Sequence, residues 1–249
     1  MSFKPMQLKP MQLALGVNLQ DDLNFDNFLP GQNLAVLAQL KLVFFPKEEQ
    51  EEQNRLTLTT ESFNFIYLWG QEDSGKTHLL KSVCYQAEAL AKSHCYLDLA
   101  KALDAAALTQ INTSVVCIDN LQAIAGQPLW EENLFHLFNR IREQEGLLVF
   151  SGLSIPGHLG IFLPDLVSRL SWGLTYHLQV LQDDEKLLAF KLRARQRGME
   201  VPDEVARYLM HRSPRKLSGL FALLDVLDDA SLKEQRKLTI PFVRQALNW

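Results

Sequence analysis

Apolar residues between positions 64 and 180 fall into short unbroken runs separated by longer segments of mixed polarity. An apolar run bounded by loop residues predicts a strand that is covered on both faces, as in a parallel sheet. The mixed segments predict helices, among them one from about Lys76 to Lys92 and one from about Leu129 to Arg142. This alternation predicts a three-layer α/β/α domain with a parallel sheet. The predicted strands are 64–69, Cys95–Leu99, Val115–Asp119, Leu147–Ser151 and Thr175–Leu178.

The pattern becomes entirely helical after about residue 180, where Asp183 begins the first of four predicted helices. Gly198 ends that helix, and Pro202 and Pro241 begin the second and the fourth. At the other end of the chain, prolines and a glycine without a helical stripe predict an extended arm. The predicted units are an arm (1–24), an α/β domain (25–180) and a small helical lid subdomain (181–249).

The composition limits the partners and the location. The 249 residues are 47% hydrophobic, which suffices for a sizeable core, and carry a net charge of −4. This acidic balance argues against a surface that mainly grips DNA or RNA, so we expect protein and nucleotide partners. Three cysteines without Cys-x-x-Cys spacing, each in an apolar or helical segment, predict buried free thiols in a reducing compartment. No apolar run has membrane-spanning length and no signal peptide is evident, which predicts a cytoplasmic protein without membrane contact.

The strongest motif is a phosphate loop after the first predicted strand, with the spacing Gly-x-x-x-x-Gly-Lys-Thr. Two glycines let the backbone close around an anion, and the next helix directs its free N–H groups toward it. Lys76 is expected to offset the β- and γ-phosphates, and the Thr77 hydroxyl to ligate Mg²⁺. The alternative is a Gly-rich turn with a surface lysine. The predicted nucleotide-binding residues of this motif are Gly70, Gln71, Glu72, Asp73, Ser74, Gly75, Lys76, Thr77 and His78.

Two polar residues at strand ends extend the predicted site. Ligands bind at the carboxyl ends of parallel strands, so Asp119 is expected to hold Mg²⁺ through water opposite Thr77; the alternative is a turn cap. Asn120 follows, where many nucleoside triphosphatases have Glu, and its amide cannot take a proton from water. Slow or absent hydrolysis by this chain alone is therefore expected. Ser151 either reaches the γ-phosphate or simply ends its strand.

Two aromatic residues stand ahead of the phosphate loop. Phe25 and Phe28 precede a helix predicted over Leu34–Phe45. Aromatics and a turn in this place suit a lid over a nucleotide base. The same pattern suits a hydrophobic staple that closes the helix start. Both interpretations stay open.

The N-terminal arm contains one short pattern. Leu13, Leu15 and Val17 alternate, so an extended segment presents them on one side with the Gln12 amide beside them. This pattern resembles the Gln-Leu-x-Leu peptide by which bacterial proteins dock on the replication sliding clamp. Gly16 and Val17 depart from the bulkier endings of such peptides, and the alternative is a tail without a binding role.

Together these segments resemble the AAA+ ATPase module of the bacterial replication initiator DnaA. The resemblance covers about residues 22–248. It rests on five segments in the same order: the aromatic segment 25–28, the phosphate loop, the acidic residue that ends Ile118–Asp119, the segment 168–174 and the helix start at 215–217. It implies an AAA+ P-loop fold followed by a helical lid. DnaA continues into a helix-turn-helix DNA-binding domain, whereas no such segment follows the fourth lid helix here. An initiator-like ATPase with a clamp-docking arm resembles the regulators that switch DnaA off.

The resemblance also implies roles for two arginines. Arg169 matches the arginine that reaches the γ-phosphate held by a neighbouring subunit, a contact worth roughly 10³–10⁵ in rate. The alternative is a helix-surface pair with Asp165. Arg215 matches the lid arginine that contacts phosphate. The implied ligands are an adenine nucleotide, either ADP or ATP, and Mg²⁺; the implied partners are DnaA, the DNA polymerase III β sliding clamp and further copies of the chain.

The resulting hypothesis is an AAA+ regulatory adaptor that binds nucleotide and clamp and promotes hydrolysis of the ATP held by DnaA. Its own ATPase activity is expected to be weak or absent. The main alternative is a self-sufficient ATPase similar to a helicase-loader motor. A second alternative, an initiator-like DNA-binding protein, is disfavoured by the acidic balance.

Overall fold

The computed structural model describes residues 23–44, 64–213, 216–234 and 237–249. Within this part of the chain, five strands form one parallel sheet in the order β2-β3-β4-β1-β5. The predicted parallel sheet is thereby confirmed. The strands are β1 (Phe65–Trp69), β2 (His94–Asp98), β3 (Val115–Asp119), β4 (Leu147–Gly152) and β5 (Leu174–His177).

Helices cover both faces of the sheet, as the unbroken apolar strands require. Successive side chains of a strand point to opposite faces, so Ile66 packs with the helices on one side and Tyr67 with those on the other. Helices α1 and α2 pack on the first side, and α3, α4 and α5 on the second. Their bounds are α1 (Leu34–Phe44), α2 (Lys76–Ala89), α3 (Ala107–Gln110), α4 (Pro128–Glu143) and α5 (Pro164–Leu170).

The four helices that follow pack around an apolar core of their own, which includes Phe190, Leu220 and Phe242. The first of them begins with a capping box between Gln182 and Glu185. A four-helix lid after the α/β layer was predicted and is confirmed. The bounds are α6 (Asp183–Gln196), α7 (Asp203–Arg212), α8 (Leu217–Glu234) and α9 (Ile240–Ala246).

The sequence pattern missed the four-residue helix α3 and placed the start of β2 one residue late. Strand β2 begins at His94 because that residue already pairs with Val115 in the neighbouring strand. The cysteines are free, as expected; Cys84 and Cys117 are buried, whereas Cys95, which was also predicted to be buried, is only partly buried. No helix in the described ranges is long and apolar enough to cross a membrane.

Candidate nucleotide-binding site

A cavity of about 1320 Å³ opens between the carboxyl ends of the strands and the C-terminal helices. Its walls come from the segment before α1, the phosphate loop with the first turn of α2, and the lid helices α6 and α8. This volume exceeds that of most small-molecule sites. The sequence-predicted residues that line it are Phe28, Glu72, Asp73, Ser74, Gly75, Lys76, Thr77 and His78.

The last glycine of the phosphate loop is required by both backbone conformation and space. Gly75 has φ +93°, in the left-handed region that favours glycine. A Cβ atom at this position would lie 2.7 Å from Cε2 of Phe28. The loop backbone and the Phe28 ring are therefore in contact, which places this aromatic residue against the start of α2.

Lys76 is buried below the loop, with only 7% of the residue exposed. Its Nζ donates to the carbonyl oxygens of Gly70 and Gln71 at 2.7 and 2.6 Å, and to Oγ of Ser74 at 3.2 Å. Burial lowers the pKa of this ammonium from its ordinary value, although the carboxylates of Asp119, Glu72 and Asp73 act in the opposite direction. The alternative of a surface lysine is thereby excluded.

Asp119, fully buried at the end of β3, collects hydroxyl groups from three elements. Thr77 Oγ1 in the first turn of α2 donates to its Oδ2 at 2.7 Å, and the Tyr96 hydroxyl on β2 donates to the same oxygen at 2.8 Å. Ser151 on β4 donates to the other carboxylate oxygen. The two predicted Mg²⁺ residues, Thr77 and Asp119, are therefore in direct contact.

Ser151 lies beneath the cavity wall and is fully buried. Besides contacting Asp119, its oxygen accepts the backbone N–H of Asn120 at 3.1 Å. The structure thus brings Ser151 to the acid at the end of β3. The sequence had left open whether Ser151 reaches the γ-phosphate or simply ends its strand, and neither interpretation included this contact.

Asn120 lines the cavity in a fixed orientation. Its backbone is left-handed, with φ 63°, a conformation that asparagine tolerates better than most residues. The amide Nδ2 donates to Asp98 at 2.7 Å, and its oxygen accepts from Gln122 at 3.1 Å. Both the nitrogen and the oxygen of the Asn120 amide therefore have hydrogen-bond partners.

The two N-terminal aromatics have different environments. Phe28 lines the cavity and contacts the ring of His78 edge-on, with 5.2 Å between the centroids. Phe25 is buried in the core below and does not reach the cavity wall. Nε2 of His78 also contacts the carbonyl of Asn24 at 3.1 Å and Oδ1 of Asn27 at 2.9 Å. His78 thus connects α2 to the segment before α1, which forms one wall of the cavity.

The start of α8 contacts the acidic part of the phosphate loop. Lys216 pairs with Glu72 at 2.6 Å, and the Ser218 hydroxyl donates to Asp73 at 3.1 Å. The hydrogen bond and charge of Lys216 lower the pKa of the Glu72 carboxyl, and Glu72 in turn raises the pKa of Lys216. Arg215, immediately before this contact, lies outside the described residues, as do Gln12, Leu13, Leu15 and Val17 of the arm.

Arg169 lies in the last turn of α5, remote from the cavity. Its guanidinium carbon is 5.1 Å from the centroid of the Trp172 ring. Within the described residues no ion pair joins Arg169 to Asp165, so the alternative that the sequence left open is not realised.

Sequence reasoning missed three contacts of the site. Tyr96 could have been found from strand order, because β2 and β3 are neighbours and Tyr96 pairs with Cys117, two residues before Asp119. The contacts of Lys216 and Ser218 with the phosphate loop had no sequence signal, since they depend on how the lid packs.

A parallel sheet in the strand order β2-β3-β4-β1-β5, a phosphate loop after β1 and a helical lid define an AAA+ protein. Family models identify the branch: the bacterial DnaA ATPase domain matches residues 19–177, and the lid domain of Hda matches residues 183–247. The chain belongs to the bacterial DnaA ATPase family, as an AAA+ protein related to Hda and DnaA.

Solved structures agree with this fold. Domain III of the Thermotoga maritima replication initiation protein DnaA is 21% identical with a TM-score of 0.71, covering 91% of this chain and 96% of that one. AMPPCP-bound DnaA from Aquifex aeolicus is 20% identical with a TM-score of 0.63, covering 88% and 69%. A Thermotoga maritima RuvB mutant is 18% identical with a TM-score of 0.61, covering 90% and 71%. At these identities the comparison establishes the fold alone.

Proposed function

We propose that this chain regulates DnaA: it binds an adenine nucleotide, docks on the replication sliding clamp through its arm, and stimulates hydrolysis of the ATP held by DnaA. The observation that carries the proposal is the separation of Arg169 from the chain's own phosphate loop, combined with Asn120 in place of a catalytic base. A protein so built is suited to acting on a neighbour's nucleotide.

The cavity fits a nucleotide bound through its phosphates. The loop and the first turn of α2 contain a buried cation, Lys76, which the proposal directs at the β- and γ-phosphates, and the free N–H groups of that first turn suit an anion. Phe28 and the wall held by His78 stand where a base would lie. Relatives of the same fold have been solved with AMPPCP, an adenine nucleotide analogue, and we extend that ligand class to this chain.

The oxygen ligands suit Mg²⁺. Thr77 Oγ1 donates its proton to Asp119, which leaves the hydroxyl lone pairs available to a hard cation, and Asp119 then holds that cation through water. Bound Mg²⁺ would offset phosphate charge. Buried hydrogen bonds from Tyr96 and Ser151 hold the Asp119 carboxylate in this orientation.

Asn120 supports weak hydrolysis by the chain itself. An attacking water must lose a proton as it bonds to the γ-phosphorus, and an amide that already donates to Asp98 has no basic site to receive it. Steady-state turnover by the purified chain would separate this proposal from a self-sufficient motor, which requires substantial ATPase activity without partners.

The position of Arg169 supports action in trans. Trp172 contacts Arg169 and stacks on Phe65, which is the first residue of β1. The phosphate loop begins after Trp69, which is the last residue of the same strand. A five-residue strand spans about 13 Å at roughly 3.3 Å per residue, so the two features lie at opposite ends of the strand. On DnaA, the guanidinium would meet the charge that spreads over the γ-phosphoryl group as water attacks and the bond to the β-phosphate breaks.

The proposal assigns the remaining units in the same way. The arm (1–24) carries Gln12, Leu13, Leu15 and Val17 to the clamp, the α/β domain (25–180) holds the nucleotide, and the lid (181–249) closes over it with Arg215 on phosphate. Copies of the chain are proposed to associate through the AAA+ interfaces as well.

The deciding experiment is single-turnover loss of DnaA-bound ATP on DNA-loaded clamp with wild-type and Arg169→Ala protein. We expect the variant to fold, bind nucleotide and bind clamp normally, and to lose roughly 10³-fold or more of the stimulation. Arg169→Lys should restore little, because an ammonium lacks the planar set of donors.

Arg207→Ala, which removes an exposed arginine of α7, is the matched control and should stimulate like wild type. Equal rates for wild-type and Arg169→Ala protein would refute the role in trans.

A further inference from the structure

An exposed tryptophan holds two arginines at the far end of the sheet from the nucleotide cavity. Trp172 is 45% exposed, which is unusual for so large an apolar side chain. The guanidinium carbons of Arg169 from α5 and Arg142 from α4 lie 5.1 and 5.3 Å from the centroid of its ring. Within the described part of the chain, neither guanidinium has an ion-pair or hydrogen-bond partner.

The ring itself is fixed to the sheet. It lies parallel to Phe65, the first residue of β1, at an interplanar angle of 2° and 6.5 Å between the centroids. At the next residue, Gly173, a Cβ atom would lie 2.0 Å from the carbonyl oxygen of Phe65. This close approach requires glycine and joins the end of α5 to β1, so the indole is a rigid support.

A guanidinium over an aromatic ring has particular chemistry. The ring attracts the cation and covers one of its faces, while the N–H donors in the guanidinium plane stay available for a phosphate or carboxylate. An arginine held in this way loses less conformational freedom when it contacts an anion.

We propose that Trp172 is the positioning residue for Arg169: its indole orients the guanidinium so that the in-plane donors meet the γ-phosphoryl group in a neighbouring subunit. This inference rests on the proposed function, because it takes Arg169 as the residue that acts in trans. Trp172 itself touches no substrate and acts through the arginine.

Two substitutions test the proposal in the single-turnover assay with DnaA-bound ATP. Trp172→Leu keeps an apolar side chain but removes the aromatic face, and the rate at saturating protein should fall roughly 10- to 100-fold because the guanidinium loses its orientation. The concentration for half-maximal effect and nucleotide binding should stay unchanged, whereas the melting temperature should fall because the contact with Phe65 is lost. Trp172→Phe keeps an aromatic face and should restore most of the rate.

A matched control removes an aromatic ring beneath another arginine. In the lid, Arg212 lies 5.9 Å from the ring of Trp249, and Trp249→Leu should leave the rate unchanged. A second readout uses the isolated chain: arginine side-chain NMR should show a ring-current shift of the Arg169 Nε–H signal that Trp172→Leu abolishes.

The outcomes separate this inference from the proposed function. An inactive Arg169→Ala with a fully active Trp172→Leu overturns the positioning role and leaves the function standing. A Trp172→Leu variant that changes only the half-maximal concentration also overturns it, since the ring would then be a docking contact. A missing ring-current shift overturns it even if the variant is unstable. A fully active Arg169→Ala refutes the proposed function itself.

Discussion

The ammonium of Lys76 is a buried charge that contacts neutral oxygen atoms of the phosphate loop. Three oxygen atoms of the phosphate loop surround it, and burial lowers its pKa while nearby carboxylates oppose that shift. A bound phosphate would replace these weak dipoles with full negative charge. Lys76 should therefore contribute more to the free energy of nucleotide binding than to the stability of the ligand-free protein.

Lys76→Ala should weaken nucleotide binding roughly ten- to hundredfold, since a hydrogen bond to a charged group contributes roughly 1.5–3 kcal/mol. The rise in melting temperature on adding ADP or ATP should shrink accordingly. Thermal melts with and without nucleotide measure this. An unaltered ligand-induced shift would place the nucleotide elsewhere.

Asn120→Glu tests the missing base. The carboxylate should raise ATP turnover by the chain alone and leave its effect on DnaA unchanged. Both Glu and Gln lose the left-handed preference of asparagine and its contact with Asp98, so both variants should melt earlier than wild type. Asn120→Gln is thus the control for steady-state assays. Turnover that stays at the wild-type level in Asn120→Glu would show that another group limits hydrolysis.

Helix α8 carries the contact between the lid and the phosphate loop. Lys216 and Ser218 at its start meet Glu72 and Asp73, so exposed polar groups form this contact. Exposed pairs are weak and screened by salt. The lid contact should therefore respond to ionic strength and pH more readily than the core does.

Glu72→Gln should increase hydrogen exchange in the first turn of α8, and added salt should reduce the difference from wild type. The pKa of Glu72 is lowered in the folded protein, so its contribution is complete above the ordinary glutamate pKa and is lost as pH falls through the lowered value. Wild-type protection of this turn should decline over that acidic range, and that of the variant should not. Glu88→Gln, at an exposed position of α2, is the control, and its hydrogen exchange should match that of wild type. Identical exchange in Glu72→Gln and Glu88→Gln would contradict a role for the Lys216–Glu72 pair.

The proposed assembly divides three tasks among three parts of the chain. In this proposal, clamp docking is assigned to the arm, nucleotide binding to the cavity, and the effect on DnaA to the opposite end of the sheet. Tasks that lie so far apart should be separable by mutation.

Replacing Gln12, Leu13 and Leu15 by Ala should abolish clamp binding, because these side chains are proposed to fill the clamp groove. Nucleotide affinity and melting temperature should not change. The similar but poorer pattern Gln7-Leu8 provides the control, and its double Ala variant should bind clamp normally. Surface plasmon resonance on immobilised clamp measures the affinity of both variants. Wild-type clamp affinity in the triple variant would refute the proposed docking motif.

The sequence alone determined the parallel sheet, the phosphate loop and the acid at Asp119, because each depends on neighbours along the chain. Apolar runs predict buried strands, and the spacing of Gly70, Gly75 and Lys76 between a strand and a helix predicts a phosphate-binding turn. The same local patterns predicted the four lid helices. Arg215 and the clamp motif were also predicted from sequence and stay predictions.

Only the tertiary structure decided which side chains meet. It placed Phe28 on the cavity and Phe25 in the core, although both belong to one short turn. It joined Lys216 to Glu72 across 144 positions and set Trp172 against Phe65. Such contacts follow from the packing of distant elements, which depends on the whole apolar core and leaves no periodicity in the sequence.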